Sequence, residues 1–436
     1  MAKAVAIVGG GPKAAAIAAK AVAMRNIGLS APDVTIFEAR SIGSAWKGGD
    51  GGYSDGASRL CTPAPRDLGF PYGDDLSASC AGRMFAEFSW ASFLVDSGGD
   101  QYARWVNRGT PRPTHGEFAQ YLEWAVAKAG ARVVIDRVTG LSWNGQWGVA
   151  TRNNGDAGRF DGVVITGPGP PVPALLNRPS NRILDGRNFW TNEALVRSLV
   201  AQDRDPTVVI IGAGGTAAAV AGWFVRHNFS RLPIHIVGRE ATLYTRSPGY
   251  FEDRLFSDDD AWDDLPAGAR QEFVARLTRG VVWQDVIDGL SRHDNLTYRC
   301  GQVVRIDVAV DELGVVVDTA GAEPGVGADG HIETTTLPAS LVVNCRGFDG
   351  WWFSSFFSNS DPASRVLKND RATLEKTVTR ALALASPFPY PGLHVPMRAS
   401  MAGPGAANLM ALGWMSDRIL RPYLDSEELA RHLGLA

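Results

Sequence analysis

The clearest pattern of apolar and polar positions lies at the beginning of the chain. The apolar run Val5–Val8 is followed by a turn in which Gly9, Gly11 and Ala14 are spaced as Gly-x-Gly-x-x-Ala. An alanine-rich stretch and a second, largely apolar run, Val34–Phe37, come next. Short apolar runs bounded by turn residues are typical of buried strands. The order strand, glycine turn, helix, strand therefore predicts a βαβ unit.

The same pattern occurs again about two hundred residues further on. Val208–Ile211 is apolar, and Gly212, Gly214 and Ala217 repeat the glycine spacing before another alanine-rich stretch and the run Ile234–Val237. A single glycine turn of this kind also occurs without any ligand, but here the whole order of elements is found twice. The sequence therefore predicts two dinucleotide-binding units.

The chemistry of these turns indicates which dinucleotides they hold. Glycine lets the backbone come close to a pyrophosphate, and the helix N-terminus offers free N–H groups to its charge. Glu38, at the end of the first unit's second strand, suits the ribose hydroxyls of an adenosine without a 2′-phosphate, whereas Arg239 suits one that carries it. We therefore expect FAD in the first unit and NADPH in the second. Arg239 is the weaker indication, because an arginine after a strand is often just solvated.

The remaining pattern predicts a doubly wound α/β protein in which the NADPH domain is inserted into the FAD domain. We expect the first part of the FAD domain in residues 1–170, the NADPH domain in 171–339, and the second part of the FAD domain with the substrate site in 340–436. The proline-rich segment 168–173 suits a linker between the domains. Residues 247–293 are polar and aromatic and are expected to be mainly helical.

Shorter runs predict further elements. The stretch from 41 to about 100 is expected to be rich in loops, and a helix is expected over 407–421. The other expected elements are a helix at 116–129, strands at 132–135, 147–151, 162–167, 303–308, 315–318 and 340–344, and a flexible loop at 321–330.

Composition narrows the function classes. The chain has 436 residues, enough for two or three domains, and its net charge of −3 with scattered Lys and Arg disfavours a nucleic-acid partner. No apolar run reaches the roughly 18 residues of a membrane span and no signal peptide precedes the first strand, so we expect a cytoplasmic protein. The sequence fits a homo-oligomer but does not decide the oligomeric state. The histidines show no metal spacing, and a disulfide framework, a zinc site and a redox-active CxxC are disfavoured by the spacing of Cys61, Cys80, Cys300 and Cys345.

Five stretches outside the common nucleotide pattern carry a resemblance to a known family. The most specific are Arg66–Tyr72 (RDLGFPY) and Ser247–Ser257 (SPGYFEDRLFS), supported by Gly43–Trp46, Thr166–Gly169 and Gly403–Leu409. Over essentially its whole length the chain resembles the flavin-dependent N-hydroxylating monooxygenases of siderophore biosynthesis. The resemblance is strongest to the actinobacterial lysine N6-hydroxylases of mycobactin and nocobactin assembly.

The resemblance implies a reaction type. NADPH reduces FAD, O2 adds to give a C4a-hydroperoxyflavin, and the neutral side-chain amine of L-lysine attacks it to give N6-hydroxylysine for hydroxamate siderophores. The flavin carries the chemistry, so no catalytic side chain is expected. At pH 8 only about 0.4% of an amine with a pKa of about 10.4 is neutral, and a desolvated pocket would favour that form. The aromatic residues that could form its wall, or else belong to the ordinary core, are Trp46, Phe70, Tyr72, Tyr250 and Phe251.

The resemblance also implies three substrate-binding positions. Arg66 stands where the family usually has a lysine near the substrate carboxylate, Asp253 where many members have asparagine, and Thr278 where asparagine or aspartate is common. Arg66 could instead form a surface ion pair with Asp67, and Asp253 could belong to an exposed acidic face. Met410 replaces a common serine, so no contact is carried over there.

The turns and the resemblance together predict the cofactor contacts. They are Gly9, Gly11, Pro12, Lys13, Ala14, Glu38, Trp46, Thr166 and Gly167 for FAD, and Gly212, Gly214, Thr216 and Arg239 for NADPH. Two other functions stay open. One is a flavin monooxygenase acting on a sulfide, a ketone or another amine such as ornithine, since Gly43–Trp46 occurs broadly in such enzymes. The other is a non-catalytic NADPH sensor.

Overall fold

Parallel strands and the helices between them make up most of the fold. The structure is a computed structural model that describes residues 3–49, 52–73, 78–246, 248–278, 282–308, 313–318 and 334–433. Numbered along the chain, its strands are β1 Ala4–Val8, β2 Asp33–Glu38, β3 Arg132–Ile135, β4 Val138–Trp143, β5 Trp147–Thr151, β6 Arg159–Phe160, β7 Gly162–Ile165, β8 Ile183–Asp185, β9 Val208–Ile211, β10 Ile234–Gly238, β11 Leu296–Cys300, β12 Gln302–Val308, β13 Leu313–Asp318, β14 Thr334–Ala339, β15 Leu341–Asn344 and β16 Leu393–His394.

Helices connect these strands and cover the sheets. Within the described ranges, every one of them is too short or too polar to cross a membrane. They are α1 Pro12–Asn26, α2 Ala78–Phe88, α3 Trp90–Asp96, α4 Gln101–Asn107, α5 His115–Ala129, α6 Glu193–Gln202, α7 Gly215–Arg226, α8 Tyr250–Arg254, α9 Asp259–Asp263, α10 Ala267–Thr278, α11 Gln284–Leu290, α12 Pro362–Asn369, α13 Arg371–Lys376, α14 Leu412–Leu420 and α15 Ser426–His432.

The first sheet has the strand order β16-β7-β1-β2-β3, and all its neighbouring strands are parallel. β1 lies at its centre with Val5 and Ile7 fully buried, and α1 packs on it through buried alanines. Small side chains allow this close packing of helix on sheet. α5 and α14 pack against α1, so the predicted first unit is confirmed.

The second sheet has the order β11-β10-β9-β15-β8, again all parallel. Its strands lie in the chain between β7 and β16 of the first sheet, which confirms the predicted insertion of one nucleotide unit into the other. One boundary differs. The sequence places the return to the first domain at residue 340, whereas β15 pairs with β9 in the second sheet. A buried apolar strand has the same local pattern in either sheet, so its partner could not be foreseen.

Two chain segments cross between the sheets, and they run side by side. The outgoing segment pairs with the returning one, because Val172 donates its N–H to the Gly347 carbonyl and Asp349 donates to Pro170, both at 2.9 Å. Ion pairs also join the units, among them one from Arg226 at the end of α7 to Asp55 (2.7 Å) and one from Arg112 to Asp285 in α11 (3.1 Å). We call these contacts the inter-unit contacts.

Two smaller antiparallel sheets, β4-β5-β6 and β12-β13-β14, accompany the large ones. The expected helix at 116–129 and the expected strands near 132, 147, 162, 303 and 315 are present with small shifts of their ends. Residues 248–278 and 282–290 are mainly helical, as expected. The described residues from 41 to 73 are loops, as expected, but α2 and α3 follow before residue 100, and the last expected helix begins only at Leu412. The loop expected at 321–330 lies outside the described residues.

Candidate functional site

The first glycine turn joins β1 to α1, and the two glycines of its motif, Gly9 and Gly11, differ in what they allow. Gly9 has a φ of +105°, and a Cβ there would lie 2.5 Å from Oγ1 of Thr166. Gly11 is extended (φ −92°, ψ −166°), and in the described part of the chain no atom lies within 4 Å of where its Cβ would be. Of these two, the protein's own atoms therefore require glycine at position 9 and not at position 11. Open space beside Gly11, at a helix N-terminus, suits an anion from outside the chain.

The second turn, between β9 and α7, repeats this division. Gly212 has a φ of +123°, and a Cβ there would collide with the carbonyl oxygen of Cys345. Gly214 is extended (φ −100°, ψ −174°), and a Cβ there would meet nothing within 4 Å among the described residues. Thr216, in the first turn of α7, packs its methyl group close to Gly186. Both turns therefore leave space at the second glycine, where a pyrophosphate would lie.

The charged residues predicted to distinguish the nucleotides lie at the ends of parallel strands. Glu38 accepts hydrogen bonds through Oε2 from Gly10 N (2.7 Å) and through Oε1 from Arg40 N (3.0 Å), which places its carboxylate against the first turn. Arg239 follows β10 and is exposed. Because β10 pairs in register with β9, Arg239 lies at the same sheet edge as the second turn. Both positions suit contact with an adenosine ribose.

Other predicted cofactor residues support the first turn. The Thr166 hydroxyl is buried and donates towards the carbonyls of Val8 (2.8 Å) and Gly9 (3.1 Å), so it holds the turn in place. Gly167 follows with a φ of +82°. Trp46 packs edge-on against His115, with ring centroids 4.9 Å apart, in a cluster that also includes Phe118. Burial lowers the pKa of His115 to about 4, so this imidazole is neutral at physiological pH.

Lys13 connects the first turn to the C-terminal part of the chain. It follows Pro12 in the first turn of α1, ahead of the buried Ala14. Its Nζ donates to the carbonyls of Ala406 (2.5 Å) and Asn408 (3.1 Å). Burial lowers the pKa of Lys13 to about 7, because the ammonium loses its hydration.

Lys13→Met is expected to change how the stability of the ligand-free protein depends on pH. Between pH 7 and about 10.5 the unfolded chain binds a proton at Lys13 that the folded protein does not, so this residue makes the unfolding free energy rise with pH. The destabilisation is greatest below pH 7 and is lost towards pH 10.5. Urea unfolding at pH 7, 8, 9 and 10 checks this. The difference between the variant and the parent should shrink as the pH rises, and a constant difference would contradict the effect.

Arg66 and Asp253 come together from distant segments. Nη2 of Arg66 lies 3.2 Å from Oδ2 of Asp253, and their side chains are 13% and 31% exposed. Arg66 also donates through Nη1 to the Met410 carbonyl (2.9 Å), and its guanidinium lies over the Phe70 ring, 4.5 Å from the centroid. The contact joins the two sequence stretches that carry the specific resemblance. A charged site thus forms beside the C-terminal segment.

Asp67 does not pair with Arg66. Its buried carboxylate accepts hydrogen bonds from the Tyr72 hydroxyl and from the backbone N–H groups of Gly69 (3.2 Å) and Trp90 (2.7 Å). Burial raises the pKa of Asp67 to about 6, and these hydrogen bonds act in the opposite direction. Asp67 therefore shapes the loop that presents Arg66. Arg66 also lines a crevice of only about 10 Å³ whose apolar walls include Leu60, Pro63, Phe118 and Leu409.

Arg246 lies close to the same charged group. Its backbone N–H donates to the Val282 carbonyl (2.9 Å), and its guanidinium lies over the ring of Phe256, 5.2 Å from the centroid. In the described part of the chain, Nε and Nη2 of Arg246 are buried and have no hydrogen-bond partner. Burial lowers the pKa of Arg246, while the nearby Glu252 and Asp253 act in the opposite direction.

Comparison with known proteins shows the family of the chain. The family model of L-lysine 6-monooxygenase/L-ornithine 5-monooxygenase matches residues 74–298. The L-lysine N6-monooxygenase MbtG of Mycolicibacterium paratuberculosis is 34% identical over 429 residues, 95% of this chain and 94% of the relative. The chain belongs to the L-lysine 6-monooxygenase/L-ornithine 5-monooxygenase family. MbtG of Mycobacterium tuberculosis is also 34% identical, over 428 residues, with the same coverage of both chains.

Solved structures agree with the family assignment. The lysine monooxygenase NbtG from Nocardia farcinica superposes with a TM-score of 0.79 at 30% identity, covering 96% of this chain and 100% of that one. The ornithine N-hydroxylase KtzI from Kutzneria sp. 744 has a TM-score of 0.69 at 21% identity, covering 97% and 99%. At that identity the second comparison supports the fold alone.

Within this monooxygenase family fold, the structure places the predicted substrate residues unequally. Arg66 and Asp253 are in contact, so neither the surface pair with Asp67 nor a fully exposed acidic face describes them. The side chain of Thr278 lies outside the described residues. The expected aromatic wall was wrong for Tyr250 and Phe251, which are 73% and 83% exposed at the start of α8. Their helix is short, and its inward side carries Asp253 instead.

Sequence reasoning missed two contributors to the site. Arg246 directly precedes the stretch of highest specificity, so its position was visible, but an arginine in a polar segment gives no local sign of burial. The carbonyls of Ala406, Asn408 and Met410 were also missed, because a backbone acceptor leaves no mark in the residue type. Ala406 and Asn408 lie in the stretch Gly403–Leu409 that the resemblance included, and Met410 follows that stretch.

Proposed function

We propose that this protein is an FAD- and NADPH-dependent L-lysine N6-monooxygenase of hydroxamate siderophore biosynthesis. The observation that carries the proposal is the contact of Arg66 with Asp253. The same chain has two glycine turns that leave open space beside Gly11 and Gly214. The turns suit two dinucleotides, and the charged pair suits an amino acid. Lysine as substrate is supported by the MbtG relatives at 34% identity over nearly the whole chain.

The residues present fit both nucleotides. The open space at Gly11 and the Glu38 carboxylate suit the pyrophosphate and the ribose of FAD, and Gly214, Thr216 and Arg239 suit NADPH. When bound, the flavin supplies the activation of O2 and NADPH supplies two electrons. In the balanced reaction, lysine gains one oxygen atom at its side-chain nitrogen, the second oxygen leaves as water, and NADPH becomes NADP+ with uptake of one proton.

The protein's own contribution is to bind the substrate and control its proton. The side-chain amine of lysine reacts as the neutral base, and removing its proton in advance at pH 8 costs about 3 kcal/mol. The apolar side chains beside Arg66, which include Leu60, Phe118 and Leu409, would disfavour an ammonium ion near them. The charged residues around Asp253 hold the α-amino and α-carboxylate groups of the amino acid. The side-chain amine is thereby fixed in position while its surroundings are apolar.

Product analysis tests the proposed function. Protein reconstituted with FAD should convert L-lysine to a product one oxygen atom heavier, with a hydroxylamine at N6, and should need both NADPH and O2. Mass spectrometry and a hydroxylamine colour assay measure this. A colourless protein that binds NADPH but takes up no flavin would support the sensor alternative. A flavoprotein that oxidises NADPH but hydroxylates only a sulfide, a ketone or another amine would contradict the lysine assignment.

Arg239→Ala is expected to weaken the binding of NADPH much more than the binding of NADH. A charge-assisted contact to the 2′-phosphate contributes about 1.5–3 kcal/mol, which corresponds to about a 10- to 100-fold rise in KM for NADPH. NADH has no 2′-phosphate, so its KM should change little. Flavin reduction measured with each nucleotide checks this, with the exposed Arg254→Ala as control. Equal effects on both nucleotides would show that Arg239 does not recognise the phosphate.

A further inference from the structure

Arg246 is a partly buried cation that leaves part of its hydrogen-bonding capacity unused. Among the described residues, its Nε and Nη2 atoms are buried and find no acceptor, although the Phe256 ring lies against its guanidinium. Burying a charged group without hydrogen bonds destabilises a fold, so such a group calls for an explanation. An acceptor that arrives with a ligand would supply one.

A complementary atom lies in the same group. Oδ2 of Asp253 faces Arg66, whereas Oδ1 is buried and, within the described ranges, accepts no hydrogen bond. Arg66, unlike Arg246, has polar partners for its guanidinium. Its guanidinium already contacts Asp253, the Met410 carbonyl and the Phe70 ring. The site therefore combines Arg66, which has polar partners, with two nitrogens of Arg246 and one oxygen of Asp253 that have none among the described residues.

We propose that Arg246 and Asp253 together bind the head group of the amino-acid substrate. The substrate's α-carboxylate accepts hydrogen bonds from Nε and Nη2 of Arg246, and its α-ammonium donates to Oδ1 of Asp253. Nε and Nη2 lie on the same side of the planar guanidinium and match the two oxygens of a carboxylate. Arg66 is then a positioning residue that fixes Asp253 through Oδ2. The inference rests on the proposed amine hydroxylation and names the residues that select its substrate.

This assignment also accounts for the aspartate at position 253. Arg66 contacts Asp253, and the charge of Arg246 interacts with Glu252 and with Asp253, so the aspartate offsets part of the charge of both arginines while it leaves one oxygen for an ammonium. A zwitterionic head group brings a carboxylate to Arg246 and an ammonium to Asp253, so each added charge meets one of the opposite sign. Cadaverine, which is lysine without its carboxylate, lacks the group that Arg246 would bind. The compound 6-aminohexanoate keeps the carboxylate and lacks the α-ammonium.

Steady-state kinetics with these three amines test the proposal. Arg246→Met should raise KM for L-lysine by about 10- to 100-fold, since it removes a bidentate charged contact, and leave KM for cadaverine nearly unchanged. Arg246→Lys keeps the positive charge but loses the paired N–H donors, so its KM for lysine should lie between those of the parent and of Arg246→Met. Asp253→Asn should raise KM for lysine but not for 6-aminohexanoate. Arg254→Gln, on the exposed side of the same helix, is the matched control and should behave as the parent.

Thermal unfolding separates a binding role from a structural one. Without lysine, Arg246→Met should melt at the same temperature as the parent or higher, because a buried charge without acceptors has been removed. Added lysine should raise the melting temperature of the parent and of Arg254→Gln, but not of Arg246→Met. A lower melting temperature without lysine, together with unchanged selectivity between lysine and cadaverine, would show that Arg246 is structural and overturn the proposal.

Two further outcomes would also overturn the inference. If Arg66→Met abolishes the preference for lysine over cadaverine and Arg246→Met does not, the carboxylate is bound at Arg66. If Arg246→Met raises KM only for NADPH, the fork binds a nucleotide phosphate. Failure of the proposed function gives a different result. In that case no amine is hydroxylated by the parent, while calorimetry still reports lysine binding that depends on Arg246.

Discussion

Gly11→Val is expected to give a folded protein that no longer binds FAD. The Cβ of the new side chain enters space that no described atom occupies, and the extended backbone at this position suits any residue. The two additional methyl groups would occupy the place of the pyrophosphate at the N-terminus of α1. The loss of cofactor should therefore be almost complete, while the apoprotein keeps its melting temperature.

The flavin-to-protein absorbance ratio after reconstitution measures this effect. Gly214→Val is the matched control, because it fills the corresponding space in the second turn. The Gly214→Val protein should keep its flavin, but NADPH should no longer reduce that flavin. Gly9→Val should instead prevent folding, since Gly9 has a positive φ and a Cβ there meets Thr166. Normal flavin content in Gly11→Val would mean that FAD binds elsewhere.

L-Ornithine should yield about 10²-fold less hydroxylated product than L-lysine. Its side chain is one methylene shorter, so with the head group fixed beside Asp253 the reacting nitrogen falls about 1.3 Å short. A displacement of about 1 Å at a reacting centre can lower the rate about 10²-fold. NADPH oxidation should fall less than product formation, and the difference should be recovered as H2O2.

Hydroxylamine, NADPH and H2O2 measured in the same reaction provide the comparison. Lysine should give a high ratio of product to NADPH consumed, and ornithine a low one. The family includes both L-lysine and L-ornithine monooxygenases, so the comparison discriminates within it. Efficient and well-coupled hydroxylation of ornithine would overturn the lysine assignment, even if lysine also reacts.

The sequence predicted most of what local patterns determine. β1, β9 and the glycine turns were foreseen because an apolar run and a glycine spacing each have a local cause. β15 was assigned to the wrong sheet, since a buried strand has the same pattern in either one. α2 and α3 were missed, although the buried residues Cys80, Met84 and Phe88 of α2 are spaced four apart, as on one face of a helix.

The site was foreseen only in part, for a related reason. Arg66 and Asp253 were each named from family resemblance, but their contact depends on how distant segments pack. The burial of Arg246 likewise depends on Phe256 and on the chain near Val282. A residue's type shows which charge it carries, whereas only the fold shows whether that charge is satisfied.

The inter-unit contacts have a practical consequence for enzymology. Partly exposed ion pairs such as Arg226–Asp55 and Arg112–Asp285 contribute about 0–1 kcal/mol each and weaken as salt screens them. The crossing segments join the units through backbone hydrogen bonds, and Arg66–Asp253 and Arg418–Asp259 are further ion pairs between them. Ionic strength is thus a variable that acts on several contacts between the units without any mutation. Rates of variants are comparable only when buffers match in salt, and a salt series on the parent enzyme belongs beside every kinetic table.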